Sequence, residues 1–187
     1  KKILLPYLLK NGVKSIDLAI VTHLHDDHYL GIVQLAKNME VKRLGTYEAN
    51  IFREQKILTD TGLRKQELLY LAGGERIQIE KGVWIDVLYP EEKSAEEYGR
   101  LVLNQEDENR SSLIMKVYYN GLTVIMTGDV GAEREKEMMR LYQNDPDMLD
   151  VDILKVGHHG SKYSTGDAFL GAVSPEIAVF QVGKNNF

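Results

Sequence analysis

The chain has 187 residues, no cysteine, 43% hydrophobic and 27% charged residues, and a net charge of −5. This composition is typical of one globular domain. It excludes disulfides and thiolate metal ligands, and it argues weakly against a high-affinity, nonspecific nucleic-acid binder. It does not exclude an enzyme that acts on a phosphodiester, because bound divalent cations change the local charge. No apolar run approaches the roughly 18–20 residues of a membrane-spanning helix.

Hydrophobic periodicity predicts a single α/β domain over residues 1–187, with helices and strands that alternate along the chain. The first predicted elements are a helix at 2–11, a strand at 16–22, a helix at 29–39, a strand at 41–47 and a helical stretch at 51–71. They continue with two strands at 75–90, a hairpin at 112–129, a helix at 131–143, a strand at 152–157, a helix near 165–173 and a strand at 176–182. Acidic segments at 91–99 and 104–109 predict a solvated surface connection.

Three of the five histidines lie in the segment HLHDDH, directly after a predicted buried strand. His23 and His25 alternate at the strand end, so their side chains point the same way and suit one metal ion. Asp27 and His28 follow where the chain turns into a helix, and they suit a second ion beside the first. The alternative is a polar turn in which Asp27 caps the next helix.

The other candidate ligands lie much later in the chain. Asp129 ends an apolar β run and follows Gly128, which allows close approach of the backbone. The Asp129 carboxylate could therefore bridge two cations. The alternative is that Asp129 belongs to an ordinary turn or caps a helix. His158 and His159 lie between glycines in GHHGS. One of them is expected to be a ligand and the other a proton donor or substrate contact, and the residues alone do not say which.

The segment from His23 to His28 stands as H-x-H-x-D-H and resembles the defining motif of the metallo-β-lactamase superfamily. Within it, NRSSLIMKVYYNGLTVIMTGD and DILKVGHHGSKYST are similar to the branch that contains the metallo-hydrolase domain of ComEC/Rec2 competence proteins. Cell-wall phosphorylcholine esterases belong to the same neighbourhood. The resemblance implies a four-layer αββα sandwich with two divalent metal ions, zinc first, with manganese and iron as alternatives.

The same resemblance implies roles for individual residues. The implied metal ligands are His23 and His25 for one ion, Asp27 and His28 for the other, Asp129 between the two, and His158, in preference to His159, on the second ion. A metal-bound hydroxide is the implied nucleophile. Asp27 and His159 are the expected catalytic residues, with His159 as a proton donor or a phosphate contact. The expected substrate contacts are Asn109, Ser161 and Lys162, whereas Asp26 is expected to be solvated or to support a ligand.

The sequence departs from the superfamily pattern in ways that bear on function. No histidine occurs from 29 to 157, where many members have another ligand; the ComEC-like branch has an Asn/Ser segment instead, matched here by Asn109, Ser111 and Ser112. The strands that begin the family fold and a later His-Pro motif are missing, so a truncated domain is expected. If the chain is part of a ComEC-like protein, it is expected at a membrane through other domains; otherwise it is cytoplasmic or secreted.

The expected function is a metal-dependent hydrolase that acts on a phosphodiester. Four alternatives remain open: a nuclease module of a DNA-uptake protein, an esterase of choline phosphodiesters in the cell wall, a non-catalytic metal-binding domain, and an iron redox centre on the same ligands. The expected partner is therefore a phosphodiester substrate, either DNA or a choline phosphodiester.

Overall fold

The computed structural model describes residues 3–93, 97 and 108–183. They fall into two compact units, the first comprising Lys1–Leu71 and Glu92–Glu108 and the second Ala72–Glu91 and Asn109–Phe187. The single-domain assignment stays a prediction. Most of the acidic connection predicted at 91–99 and 104–109 lies outside the described residues. Among the described helices, none has the length and apolar character needed to cross a bilayer.

Within the described ranges, the first unit contains short parallel strands and α-helices. Its strands are β1 (Ser15–Ile16), β2 (Ala19–Ile20), β3 (Glu40–Val41), β4 (Leu44–Tyr47) and β5 (Leu68–Leu71). Its helices are α1 (Leu4–Lys10), α2 (Asp26–Ala36) and α3 (Glu54–Thr61), with 3₁₀ turns at Glu48–Arg53 and Lys65–Glu67. Strands β2, β4 and β5 form a parallel sheet in the order β2-β4-β5, and β1 pairs with β3.

Helix α2 packs on this sheet through an apolar face that includes Tyr29 and Val33, which are 1% and 4% exposed. The Tyr29 hydroxyl donates a hydrogen bond to Asp60 Oδ2 of α3 at 3.1 Å. Burial is the main reason that the pKa of Tyr29 is raised, and the bond to Asp60 acts in the same direction. These contacts fix the helix whose first turn carries the aspartates and the last histidine of the HLHDDH segment.

The second unit is built on one six-stranded sheet in the order β11-β10-β9-β8-β7-β6. Its strands are β6 (Arg76–Glu80), β7 (Val83–Tyr89), β8 (Ile114–Tyr119), β9 (Leu122–Met126), β10 (Ile153–Lys155) and β11 (Ile177–Val179). Its helices are α4 (Ala132–Leu141) and α5 (Asp167–Val173), with 3₁₀ turns at Pro146–Met148 and Gly157–Gly160. A further 3₁₀ turn, Glu108–Ser111, begins at the last residue of the first unit. Strands β6 to β9 are antiparallel neighbours, whereas β9, β10 and β11 run parallel.

The parallel strands explain where the polar residues of this unit collect. The carboxyl ends of parallel strands meet at one edge of a sheet, which is where α/β folds place ligands. Asp129 follows β9, the His158–His159 pair follows β10, and residues 180–182 follow β11. Three separate segments of the sequence therefore reach the same edge of one sheet.

The predicted hairpin at 112–129 is confirmed, and both turn residues have positive φ, 49° at Asn120 and 93° at Gly121, as a tight hairpin turn requires. Four predictions were wrong. The single strand predicted at 41–47 is two strands, Glu40–Val41 and Leu44–Tyr47. Residues Leu68–Leu71 form strand β5 and not helix, because they pair in parallel with β4. The single strand predicted at 16–22 is two strands of two residues each. Helix α2 begins at Asp26, three residues before the predicted start.

Candidate metal centre

The histidines of the first unit form a cluster around the buried His23, which is 2% exposed. Its Nε2 lies 3.2 Å from Nδ1 of His25, and its ring centroid lies 4.2 Å from that of His28. Two nitrogens on a tetrahedral zinc ion, each about 2.0–2.1 Å from it, are about 3.3 Å apart. The observed separation therefore fits two ligands of one ion, although a hydrogen bond between neutral rings has the same length.

Thr22 contacts two rings of this cluster through nitrogens other than the His23 Nε2 that faces His25. Its Oγ1 lies 3.1 Å from Nδ1 of His23 and 3.5 Å from Nδ1 of His28. A hydrogen bond at one ring nitrogen fixes the ring and leaves the other nitrogen to bind a metal. Sequence reasoning missed Thr22, although a hydroxyl residue directly before the first histidine was a signal that could have identified it.

The start of helix α2 places the remaining residues of the HLHDDH segment. His25 is the N-cap residue, without a side-chain capping bond, and Asp26 and Asp27 lie in the first helical turn. The alternative in which Asp27 caps the helix is therefore wrong. Asp27 Oδ2 lies 3.9 Å from Nε2 of His28, so these two predicted ligands are brought together. Asp26 and the predicted ligand Asp27 are both exposed, so the exclusion of Asp26 from the ligands stays a prediction.

In the second unit, Asp129 is 3% exposed at the carboxyl end of β9. Its backbone N–H donates to Oγ of the fully buried Ser112 at 3.1 Å. The N–H of Ser112 in turn donates to the carbonyl of Asn109 at 3.1 Å. The Asn/Ser segment predicted to replace a histidine ligand thus lies beside Asp129, and the role of Asn109 as a substrate contact stays a prediction.

His158 and His159 occupy left-handed backbone conformations, with φ values of 45° and 53°. Non-glycine residues are rarely found there, since each costs roughly 1–2 kcal/mol. The turn is held by hydrogen bonds on both sides: the His158 N–H donates to the Gly128 carbonyl at 3.0 Å, and Ser164 Oγ donates to the Gly157 carbonyl at 2.9 Å. The fold thus imposes a strained conformation at two predicted site residues.

The two histidines differ in their hydrogen bonding. His159 Nδ1 lies 2.9 Å from the carbonyl oxygen of Gln181, which can only accept, so Nδ1 carries the proton and Nε2 of the neutral ring keeps its lone pair. That Nε2 lies 3.5 Å from Asp129 Oδ2, compared with 4.0 Å for Nε2 of His158. These features favour His159 as the ligand, in contrast to the preference for His158 that the resemblance implied.

Lys155, on β10, is a charged residue near the candidate site that the sequence analysis did not identify. Its Nζ donates to the Val156 carbonyl at 3.0 Å. Burial lowers the pKa of this ammonium, and the Asp129 carboxylate acts in the opposite direction. A lysine three residues before the histidine pair was a visible signal in KVGHHGS. The position of Lys155 makes it a source of positive charge near the carboxyl end of β10.

The two predicted substrate contacts after the histidines differ in exposure. Ser161 is partly buried, and its Oγ accepts the Tyr163 N–H at 3.3 Å. Lys162 is exposed, and its Nζ lies 5.0 Å from the centroid of the Tyr163 ring. Lys162 is therefore accessible to an anionic ligand, whereas Ser161 contributes to the shape of the turn.

The profile of the metallo-beta-lactamase superfamily matches residues 1–184. The chain belongs to the metallo-β-lactamase superfamily. This membership confirms the predicted resemblance and the predicted α/β metallo-β-lactamase fold class. The histidines that were predicted from the sequence to bind metal therefore lie on a fold of this superfamily.

Three curated proteins that resemble the chain have names that refer to the ComE operon, to competence and to recombination. ComE operon protein 3 of Bacillus subtilis is 33% identical over 100% of this chain. Competence protein ComA of Neisseria gonorrhoeae is 24% identical over 98% of the chain, and Recombination protein 2 of Haemophilus influenzae is 26% identical over 98%. The chain spans about a fifth of their length, 22%, 22% and 20%.

Two solved structures show the same superfamily fold at low sequence identity. The diiron β-hydroxylase CmlA of Streptomyces venezuelae superposes with a TM-score of 0.54, and a mutant of CmlA with 0.56. In each case the identity is 12%, and the match covers 89% of this chain and 36% of the other. At this identity the likeness concerns the fold alone.

Proposed function

We propose that the chain is a metal-dependent hydrolase that cleaves phosphodiesters with the aid of two divalent ions. The observation that carries the proposal is the approach of His23 Nε2 to His25 Nδ1 at 3.2 Å, the separation expected for two ligands of one ion. The buried Asp129 and the oriented ring of His159 in the second unit support it.

The ligand set follows the superfamily resemblance, with one exchange. In this assignment His23 and His25 would hold one ion, Asp27 and His28 would hold the other, and Asp129 together with His159, in place of His158, would complete the ligand set. Zinc suits this mixture of imidazole and carboxylate donors, and manganese or iron would also be accepted by it. The diiron centre of CmlA belongs to a protein with the same fold, which keeps iron among the candidates.

When bound, the ions would lower the pKa of a coordinated water and neutralise charge on the phosphate oxygens. The protein contributes the remaining functions. Thr22 fixes the imidazole of His23, and Ser112 fixes the backbone of Asp129. His158, whose Nε2 lies 4.0 Å from Asp129 Oδ2, would give a proton to the departing alkoxide.

A second candidate function is a nuclease module that cleaves single-stranded DNA. The names of the curated relatives, which refer to competence and recombination, favour it over an esterase of choline phosphodiesters. The overall charge of −5 argues against tight nonspecific binding and is compatible with a substrate that is bound only for turnover. Cleavage of a single-stranded oligonucleotide compared with that of a choline phosphodiester separates the two.

The test begins with metal content measured on protein purified without added metal, followed by turnover of bis(p-nitrophenyl) phosphate. Asp129→Asn should lower the bound metal and reduce turnover by roughly 100-fold or more, because an amide cannot bridge two cations as a carboxylate does. Asp147→Asn, a change at an exposed aspartate of the same unit, is the matched control. Full turnover by Asp129→Asn would refute the two-ion mechanism.

The exchanged roles of the histidine pair have a separate signature. His159→Ala should lose metal, whereas His158→Ala should keep metal and lose turnover. The reverse pattern would restore the assignment that the resemblance implied. Stoichiometric metal without hydrolysis of any tested ester would indicate a non-catalytic metal-binding domain.

A further inference from the structure

Glu135 on helix α4 is a buried carboxylate that is not among the predicted ligands, and it is 1% exposed. Its two oxygens accept backbone N–H groups, Oε1 that of Thr165 at 2.5 Å and Oε2 that of Gly166 at 3.0 Å. Burial raises the pKa of this carboxyl, and the two N–H groups act in the opposite direction. A buried charge contributes little net stability even when it has partners. Glu135 is therefore better explained by the conformation that it holds than by stability.

The segment that Glu135 holds closes the loop that carries the histidine pair. Thr165 Oγ1 accepts the N–H of Gly157 at 3.1 Å, and Ser164 Oγ donates to the carbonyl of Gly157 at 2.9 Å. Gly157 is the residue directly before His158. Both backbone polar groups at the start of the loop are thus bonded to residues at its end, and that end is bonded to Glu135.

Three residues of this loop have left-handed backbone conformations that side chains rarely adopt. The φ value is 45° at His158, 53° at His159 and 51° at Thr165. Such conformations persist only where the surrounding structure holds the backbone in place. Helix α4 provides contacts from outside the loop, because the Ala132 N–H donates to the Tyr163 carbonyl at 2.9 Å and the buried carboxylate holds Thr165.

The hydrogen bond of the His159 ring depends on the position of this loop. Its Nδ1 lies 2.9 Å from the carbonyl oxygen of Gln181, on the segment that follows β11. The bond made by one ring nitrogen determines which nitrogen carries the proton and which is available to a metal. A shift of the loop away from Gln181 would therefore change the tautomer of His159 as well as the direction of its ring.

We propose that Glu135 is a positioning residue of the candidate metal centre, whose carboxylate fixes Thr165 and Gly166 and through them the turn that presents His159. The proposal rests on the proposed function for the role of His159 as a metal ligand. In it, Glu135 contacts neither an ion nor a substrate and acts only through the backbone of the loop.

The tautomer of His159 tests the proposal in metal-free protein. Ring ¹⁵N NMR in the presence of EDTA, at a pH where the imidazole is neutral, should show the proton on Nδ1 in the wild-type protein; the signals are identified by their absence in His159→Ala. Glu135→Gln places an amide N–H against a backbone N–H, so the proton should move towards Nε2. Calorimetric titration with zinc should then give an affinity roughly 10- to 100-fold weaker.

Glu133→Gln is the matched control, because it makes the same change at an exposed carboxylate in the first turn of α4. It should keep the tautomer and the zinc affinity of the wild-type protein. Thr165→Val is a second variant that removes only the hydroxyl bonded to Gly157, and it should move the proton in the same direction. If both act through one link, the double variant should show no larger change than the stronger single variant.

An unchanged tautomer in Thr165→Val and in folded Glu135→Gln would overturn the proposal. A lower Tm of Glu135→Gln with an unchanged tautomer and zinc affinity would also overturn it, since Glu135 would then only stabilise the fold. Failure of the hydrolase proposal looks different: metal-loaded wild-type protein would cleave no ester, while the tautomer of the metal-free protein would still depend on Glu135.

Discussion

Replacing Ser112 with alanine isolates the contribution of one buried hydroxyl to the position of Asp129. The hydroxyl is fully buried and accepts the Asp129 N–H at 3.1 Å. Removing the acceptor of a buried backbone donor costs about 1–3 kcal/mol. At roughly 2–4 °C per kcal/mol for a chain of this size, a loss of about 2 kcal/mol lowers the Tm by roughly 4–8 °C.

The assay is thermal unfolding followed by Trp84 fluorescence, first with EDTA and then after zinc titration. The measurement with EDTA gives the change in Tm that is due to the lost hydrogen bond alone. Calorimetric titration with zinc gives the metal affinity, which we expect to be roughly 10- to 100-fold weaker in Ser112→Ala because a group that supports a ligand is lost. Thr59→Ala removes an exposed helical hydroxyl and should leave both quantities close to wild type. An unchanged Tm and an unchanged zinc affinity in Ser112→Ala would refute the role assigned to this hydrogen bond.

Two further predictions concern side chains that are not among the predicted ligands. Tyr29→Phe should lower the free energy of unfolding by about 0.5–1.5 kcal/mol in urea titrations, since Lys56 still bonds to Asp60; no change at all would mean that the 3.1 Å contact is not a hydrogen bond. The side-chain hydrogen bond from Thr123 lowers the pKa of Asp152 in the folded protein below its usual 3.8. The stability that this carboxylate contributes is therefore fully present above pH 3.8, and it is lost as the pH falls through the lower pKa of the folded protein. Thr123→Val should therefore make urea midpoints less dependent on pH in that acid window, and parallel profiles for the two proteins would count against it.

Local signals in the sequence predicted the second unit better than the first. The hairpin around Asn120 needs only a turn dipeptide and two β runs, and every contact that defines it is close in the chain. Strand β5 was predicted as helix because the apolar run at 68–71 fits either structure, and only pairing with the distant β4 decides between them. The early start of α2 was missed because aspartates of a turn and aspartates of a first helical turn look alike.

At the site, residue types were predictable and their orientations were not. The spacing of His23 and His25 predicted two nitrogens near one point, and the structure places them 3.2 Å apart. Which of the neighbouring residues His158 and His159 is the better candidate ligand could not be derived from the sequence. It depends on the carbonyl of Gln181, which lies more than twenty positions away and approaches the ring only because β11 pairs with β10.

The left-handed backbone conformation of His158 and His159 lowers the stability of the folded protein. Together the two residues store roughly 2–4 kcal/mol of backbone strain, a substantial part of the 5–15 kcal/mol that stabilises an ordinary domain. Glycine would relieve that strain at either position, and Gly157 and Gly160 stand immediately outside the pair. Glycine at either position would therefore remove backbone strain together with an imidazole ring, and the predicted site role of the two histidines would account for a conformation that is unfavourable for folding.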